Sequence, residues 1–224
     1  MPHQSRWQVD IPKCSLPTLV LKSPTDPLDD KKPCFLDAAR PDTHYLTQSA
    51  FRLWCQRFAL GLLGSGKFRK GDRVLLFSGN DLFYPVVLMG VIMAGGIFTG
   101  ANPNYVAREL AYQLKDSQAK LLLCADSSLE TAIEAAELAG MSEENVFIFN
   151  GAVYDSTSVP NRQENKRFRS WVELLATPEN AKTFVWDNLR DPEDASQRTI
   201  TLNYSSGTTG CLSCFILWDQ STGN

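Results

Sequence analysis

The residues of this chain best suited to chemistry are the small, hydroxyl-bearing residues and glycines at 204–210, which read Tyr-Ser-Ser-Gly-Thr-Thr-Gly. Glycine lets backbone N–H groups approach a bound phosphate closely, and serine and threonine hydroxyls donate hydrogen bonds to phosphate oxygens. The sequence therefore predicts a phosphate-binding loop whose candidate ligands are Ser205, Ser206, Gly207, Thr208, Thr209 and Gly210. A polar turn is the alternative, because the same residue types are common in turns.

This loop needs an element to hold it, and residues 199–204 have the β-branched, alternating pattern of a strand. Upstream, apolar runs and helical patterns alternate. They predict strands at 73–78, 97–100, 120–125 and 145–150 and helices at 46–63, 82–94, 107–117 and 128–139. Continuous apolar strands separated by helices are typical of an α/β fold, a parallel sheet of βαβ units with helices on both faces. Ligands of such sheets bind at the carboxyl ends of strands, where the 204–210 loop would lie.

Two other motifs compete for the function. Residues 61–68 fit the GxxxxGK spacing, but Phe68 stands where a nucleotide loop needs a hydroxyl, and the motif follows a helix instead of a strand. Glycines that end a helix explain it better. Cys211 and Cys214 form a CxxC pair, but the sequence offers no second pair of ligands, and His3 and His44 are distant in sequence. We expect no metal site.

The composition excludes some function classes. The net charge of −3 argues against a nucleic-acid surface. Residues 84–101 are almost continuously apolar, yet two glycines and a closing turn favour a buried helix and strand over a membrane span. Scattered cysteines indicate reduced thiols. We expect a cytosolic location, because the N-terminus lacks a secretory signal and the C-terminal Ser-Thr-Gly-Asn is not a peroxisomal signal.

The run at 204–210 resembles the first half of the phosphate loop of acyl-adenylating (AMP-forming) enzymes, which include acyl- and aryl-CoA ligases, peptide-synthetase adenylation domains and luciferases. Further segments resemble the same family, namely residues 70–74, 78–80, 94–96, 102–105, 108–110 and 117–120. Residues 32–33 and 37–41 look most like fungal enzymes of the 4-coumarate-CoA ligase type. Together the resemblance covers roughly residues 15–210.

The resemblance implies the first subdomain of the family's large N-terminal domain, with 1–42 as an irregular lead-in, 43–210 as the family part and 211–224 as a non-family tail. It also implies ATP with Mg²⁺, CoA and a small carboxylic acid as reactants, and it points to no protein partner. The carboxylate would attack the α-phosphate of ATP to give an acyl-adenylate and pyrophosphate, and the CoA thiol would then displace AMP. Residues 205–210 would position the β- and γ-phosphates, with Thr208 and Thr209 as the best hydroxyl donors.

The chain departs from the family inside this motif. The family continues the loop with one residue and then Pro-Lys-Gly, whereas residues 211–214 here read Cys-Leu-Ser-Cys. One positive charge against the phosphates is missing, and so are the family's later segments for adenine, ribose, magnesium and the mobile C-terminal domain. We expect a truncated chain that is inactive alone, because the reaction depends on pre-placed charge. The alternative is a non-catalytic α/β module that holds a nucleotide or a partner without turnover.

Overall fold

The computed structural model describes residues 14–23, 25–154, 168–188 and 198–205, and the backbone of residues 214–218. Its helices and strands, in chain order, are α1 (Leu16–Leu21), β1 (Pro33–Leu36), β2 (Tyr45–Thr47), α2 (Gln48–Gly64), β3 (Arg73–Phe77), α3 (Tyr84–Met93), β4 (Ile97–Ala101), α4 (Ala107–Ser117), β5 (Ala119–Ala125), α5 (Leu129–Ala139), β6 (Val146–Phe149), β7 (Arg169–Ser170), α6 (Pro178–Lys182), β8 (Thr199–Tyr204) and β9 (Cys214–Trp218).

The main sheet has seven strands in the order β7-β6-β5-β3-β4-β8-β9. Every neighbouring pair from β7 to β8 is parallel. The last strand, β9, is antiparallel to β8. The parallel strands therefore end at one common edge, and the turns that follow them meet there.

Side chains of β3 alternate between two hydrophobic cores, one on each face of the sheet. Val74 and Leu76 pack with residues of α2 and α3. Leu75 and Phe77 pack with residues of α4 and α5 on the opposite face. All four side chains are fully buried or nearly so. The structure confirms the predicted α/β class, a parallel sheet with helices on both faces.

Local signals explain where the helices begin and end. Thr47 caps α2, because its hydroxyl accepts a hydrogen bond from Ala50 N at 3.2 Å. At the end of α5, Gly140 has φ 72°, a left-handed angle that glycine adopts without strain. The apolar helix α3 is only ten residues long and mostly buried. Among the residues that the structure describes, no helix is long and apolar enough to cross a membrane.

The segment predicted to be an irregular lead-in contains regular structure. Helix α1 begins after Ser15, whose hydroxyl accepts from Thr18 N at 3.4 Å. Strand β1 pairs antiparallel with β2, so that Leu36 lies opposite Tyr45. The sequence pattern hides this hairpin because all four residues of β1 are exposed and show no alternation. The division of the chain at residue 42 itself stays a prediction.

The predicted non-family tail also contributes to the sheet. Strand β9 pairs with β8 from Thr199 opposite Trp218 to Tyr204 opposite Cys214, with an irregularity between Thr199 and Thr201. The chain therefore reverses direction between Tyr204 and Cys214. In the sequence, the predicted phosphate loop lies between these two strands.

Candidate functional site

Strand β8 carries the start of the predicted phosphate loop to the carboxyl edge of the sheet. It runs beside β4, with Phe98 opposite Thr201 and Thr99 opposite Leu202. Ser205 follows the strand directly and is partly exposed. The other candidate ligands lie outside the described residues: Ser206, Gly207, Thr208, Thr209 and Gly210. The predicted feeding strand is thus confirmed, and the roles of the loop residues stay predictions.

Two polar turns leave the same edge of the sheet. Strands β3 and β4 are paired as far as Phe77 and Ala101, so the turns after them start level with each other. Asn102 Oδ1 accepts a hydrogen bond from Asn104 N at 3.0 Å. Ser78 Oγ donates to the carbonyl of the next residue at 3.1 Å. Both side chains bond to their own turns, and we assign them to turn formation instead of ligand binding.

A buried glutamine connects helix α4 to strand β4 and, through a threonine, to β8. Gln113 Nε2 donates to Thr99 Oγ1 at 2.8 Å and to Gly100 O at 3.1 Å. Thr99 Oγ1 donates in turn to Leu202 O at 2.8 Å. Both side chains are 0% exposed, so water does not compete for these bonds. They fix β8 to α4 two residues before the strand ends.

A second link from α4 reaches the last residue of β8. The Tyr204 hydroxyl donates to Asp116 Oδ2 at 2.6 Å, although the two residues lie 88 positions apart in the sequence. Beside Asp116, the buried Ser117 Oγ donates to Gln113 O at 2.6 Å and closes the final turn of the helix. Sequence reasoning missed the link from Gln113 through Thr99 to β8 and the link from Asp116 to Tyr204. No local sequence pattern shows which polar side chains of a helix and a strand pair with each other.

The carboxylate of Asp81 joins two turns at this edge. Its Oδ1 accepts from Phe83 N at 2.7 Å. Burial raises the pKa of Asp81, and hydrogen bonds from the backbone N–H groups of Phe83 and Gly151 oppose that shift. Nearby, Asn150 Nδ2 donates to Asp126 Oδ2 at 2.7 Å. These bonds connect the turns after β3, β5 and β6, so we assign Asp81 a structural role.

The GxxxxGK segment at 61–68 is used for packing. Helix α2 continues through Gly61 to Gly64, so the motif follows a helix, as the sequence pattern indicated. Lys67 Nζ lies 3.4 Å from Glu144 Oε2 and 3.3 Å from Asn145 Oδ1. Phe68 is buried in the core. A helix followed by a strand is the reverse of the order that a phosphate loop of this type requires.

The remaining candidate ligands do not form a site in the part of the chain that the structure describes. His44 is 8% exposed and stacks on Tyr154 with ring centroids 4.7 Å apart. Its Nδ1 lies 2.8 Å from Thr43 Oγ1. Cys211 and His3 lie outside the described residues, and of Cys214 the structure gives the backbone in β9. No group of three His, Cys, Asp or Glu side chains in the described ranges could hold a metal ion.

The fold is that of an α/β protein with polar turns gathered at the carboxyl ends of its parallel strands, the edge where this class binds ligands. A family model described as "AMP-binding enzyme" matches residues 29–211. The match covers well over half of the chain and includes the whole of the predicted phosphate loop. The chain belongs to the AMP-binding enzyme family.

Curated relatives include fungal and plant ligases. The phenylacetyl-CoA ligase epaB of Aspergillus niger is 32% identical over 183 residues, which are 80% of this chain and 31% of that protein. The 4-coumarate–CoA ligase-like protein 9 of rice (Oryza sativa subsp. japonica) is 34% identical over 69% of this chain and 24% of its own length. The chain thus spans about a third of the length of the curated relatives it matches, or less.

Solved structures share the fold at lower identity. The anthranilate CoA ligase AuaEII in complex with anthranoyl-AMP has a TM-score of 0.70 and 19% identity, covering 93% of this chain and 36% of its own. The luciferase-like enzyme of the mealworm Zophobas morio has a TM-score of 0.67 and 19% identity, covering 84% of this chain and 39% of its own. These likenesses support the fold class.

Proposed function

We propose that this chain is the amino-terminal part of an ATP-dependent acid–CoA ligase and that residues 205–210 hold the phosphates of ATP. The observation that carries the proposal is the position of Ser205, directly after β8 at the carboxyl edge of a parallel sheet. The family match, which runs through the loop to residue 211, supports it. Named relatives are a phenylacetyl-CoA ligase and a 4-coumarate–CoA ligase-like protein, and a small aryl or acyl carboxylic acid is therefore the proposed substrate.

The chemistry of the loop fits a triphosphate. Residues 204–210 contain four serine and threonine hydroxyls, two glycines and no acidic side chain. Backbone N–H groups and hydroxyls of Ser205, Ser206, Thr208 and Thr209 would donate to the β- and γ-phosphate oxygens. Mg²⁺ would neutralise further phosphate charge.

In the proposed reaction the substrate carboxylate attacks the α-phosphorus of ATP. The bond to the bridging oxygen of the β-phosphate breaks, pyrophosphate leaves, and the thiol sulfur of CoA then attacks the acyl carbon and expels AMP. The loop's part is to orient the departing phosphates and to stabilise the charge that develops on them.

We also propose that this chain does not complete acid activation by itself. The motif breaks after Gly210, and residues 212–214 (Leu-Ser-Cys) stand where the family has Pro-Lys-Gly. The missing lysine removes a positive charge that would stabilise the leaving pyrophosphate. A nucleotide-binding module without turnover is the alternative that this break favours. The cytosolic location stays a prediction.

Three measurements on the full chain test these proposals. The first is equilibrium binding of Mg-ATP, in which Thr208→Val with Thr209→Val should weaken binding by about a hundredfold or more, because hydrogen bonds to charged groups contribute about 1.5–3 kcal/mol each. Thr25→Val, at an exposed turn, is the matched control and should leave the affinity unchanged. Equal affinity of the double variant and the wild type would contradict the role of the loop.

The second measurement uses a variant in which the missing positive charge is restored. Ser213→Lys places a lysine at the family's position, and we expect it to tighten Mg-ATP binding more than Thr25→Lys, which adds the same charge elsewhere. ATP–pyrophosphate exchange with a panel of aryl and fatty acids should not exceed a heat-denatured control for the wild-type chain. Exchange above that control would contradict the inactivity proposal, and ATP binding without exchange would favour the module that binds without turnover.

A further inference from the structure

The exit of strand β8 has little backbone support from the parallel sheet. Its pairing with β4 consists of Thr201 and Leu202, opposite Phe98 and Thr99. The register with β4 ends at Leu202, and the last two residues, Asn203 and Tyr204, are paired with β9. The parallel pairing with β4 thus stops short of the point where the chain enters the 205–210 loop, which leaves room for a side-chain contact to position that point.

One side-chain contact does reach this exit. The Tyr204 hydroxyl donates to Asp116 Oδ2 at 2.6 Å, a short distance typical of a hydrogen bond to a carboxylate. Tyr204 is the residue immediately before Ser205. A constraint on its ring therefore limits the positions open to the first residue of the loop.

Asp116 itself has a rigid support. One turn earlier in α4, Gln113 is fully buried and bonds to Thr99 Oγ1 at 2.8 Å and to Gly100 O at 3.1 Å. The next residue, Ser117, is 2% exposed and donates to Gln113 O at 2.6 Å. The end of α4 is thus fixed to β4, and the carboxylate of Asp116 extends from a part of the helix that cannot easily shift.

We propose that Asp116 is a positioning residue for the phosphate loop, because it holds Tyr204 and thereby fixes the point where the chain enters residues 205–210. This inference rests on the proposed function of the loop. It goes beyond that function by assigning a role to a residue of α4, which has no part in the phosphate-binding motif.

The test uses Tyr204→Phe, which removes only the hydroxyl, and Asp116→Ala, together with the double variant. The controls are Tyr112→Phe, an exposed tyrosine of the same helix, and Glu134→Ala, an exposed carboxylate of α5. Asp116→Asn is the conservative variant, because an amide oxygen still accepts from the Tyr204 hydroxyl. Two quantities are measured in the full chain: amide hydrogen exchange of residues 199–205 and the affinity for Mg-ATP and for inorganic pyrophosphate.

We expect both single variants to speed exchange at residues 203–205 and to weaken ATP and pyrophosphate binding by about fivefold, which corresponds to about 1 kcal/mol. The double variant should be no worse than either single one, because both remove the same bond. Asp116→Asn should recover part of the loss, and neither control should change either quantity. The affinity for pyrophosphate should fall together with the affinity for ATP, since the loop is proposed to hold phosphates.

Unchanged exchange in Tyr204→Phe would overturn the positioning role. Faster exchange with unchanged nucleotide affinity would show that the contact orders the strand without affecting the loop, and it would also overturn the inference. If the wild-type chain binds neither ATP nor pyrophosphate, the proposed function of the loop fails. In that case the exchange data still decide, separately, whether Asp116 holds Tyr204.

Discussion

The carbonyl group of Leu174 occupies the place where a Cβ atom on Gly61 would lie. Helix α2 therefore packs backbone against backbone on the 3-10 helix Trp171–Leu174. One turn earlier, Arg57 and Ala176 exchange hydrogen bonds, with Ala176 N donating to Arg57 O and Arg57 Nε donating to Ala176 O, both at 2.9 Å. Glycine is required at the contact because any side chain would collide with the carbonyl.

Replacing Gly61 by alanine should therefore destabilise the protein. We expect Gly61→Ala to lower the free energy of unfolding by about 2 kcal/mol or more, because overpacking against a backbone group is not relieved by rotation of a side chain. The gain in helix propensity, about 1 kcal/mol, is too small to offset this clash. Urea unfolding followed by far-ultraviolet circular dichroism would measure the change.

Gly64→Ala is the matched control in the same helix. An added Cβ at Gly64 meets nothing within 4 Å. This variant should be neutral or stabilising by up to about 1 kcal/mol. If both variants unfolded at the same urea concentration, the close approach of Gly61 and Leu174 would not limit stability.

The sequence predicted the layered core well, because its signals are local. Helix α4 matches its predicted range 107–117, and Gly140 ends α5 as its pattern indicated. Strand β9 was not predicted, because the short apolar run at 214–218 has meaning only once β8 lies beside it. Hairpin β1–β2 was missed for the related reason that its first strand is wholly exposed.

In the candidate site, too, the features with local sequence signals could be predicted and those that depend on tertiary packing could not. The place of Ser205 could be predicted because the loop and its feeding strand are adjacent in the sequence. The partners that hold the strand could not be predicted, since Asp116 and Gln113 reach β8 and β4 only through tertiary packing. Periodicity shows which face of a helix is buried, but it does not show which polar side chains pair across elements.

Among the residues that the structure describes, Trp171 is the largest fully buried side chain, and its ring lies near three other aromatic rings. Its ring centroid lies 5.2 Å from that of Phe149, 5.7 Å from Phe83 and 5.8 Å from Phe58. We expect Trp171→Ala to cost about 3–5 kcal/mol of unfolding free energy, as large cavities in cores do. Denaturant unfolding would measure it, with Val185→Ala as the control at a side chain that is 70% exposed.

Trp171→Phe removes the hydrogen bond at the same position with a smaller loss of packing than Trp171→Ala. It keeps an aromatic ring but removes the indole N–H that donates to Asn150 O at 3.1 Å. A loss of about 1–3 kcal/mol is expected, because the change leaves a partly buried carbonyl without this donor. A variant as stable as the wild type would show that the bond to Asn150 contributes nothing to stability.

The start of α2 depends on a side-chain cap. Thr47 Oγ1 accepts from Ala50 N at 3.2 Å, and α2 is the longest helix of the described residues. Thr47→Ala should cost about 1 kcal/mol, and Thr47→Ser should retain most of the stability. Ser128→Ala is the control, because Ser128 precedes α5 without a side-chain capping bond. Thermal unfolding of the three variants would show whether the loss is specific to Thr47.

Asp81 should make stability depend on pH in the opposite direction to a carboxylate whose pKa is lowered by folding. Burial raises its pKa above 3.8 in the folded state, so the folded protein holds this proton more tightly than the unfolded chain does. The stability that Asp81 contributes is therefore fully present below pH 3.8 and is lost as the pH rises through the folded-state pKa.

Asp81→Asn removes the charge and keeps an oxygen that accepts from Phe83 N. We expect this variant to gain stability relative to the wild type as the pH rises above 3.8. Urea unfolding at a series of pH values would measure the difference, and Glu134→Gln, at an exposed carboxylate of α5, controls for the loss of one charge. A difference that changed in the opposite direction with pH would mean that the hydrogen bonds from Phe83 and Gly151 stabilise the carboxylate more than burial disfavours it.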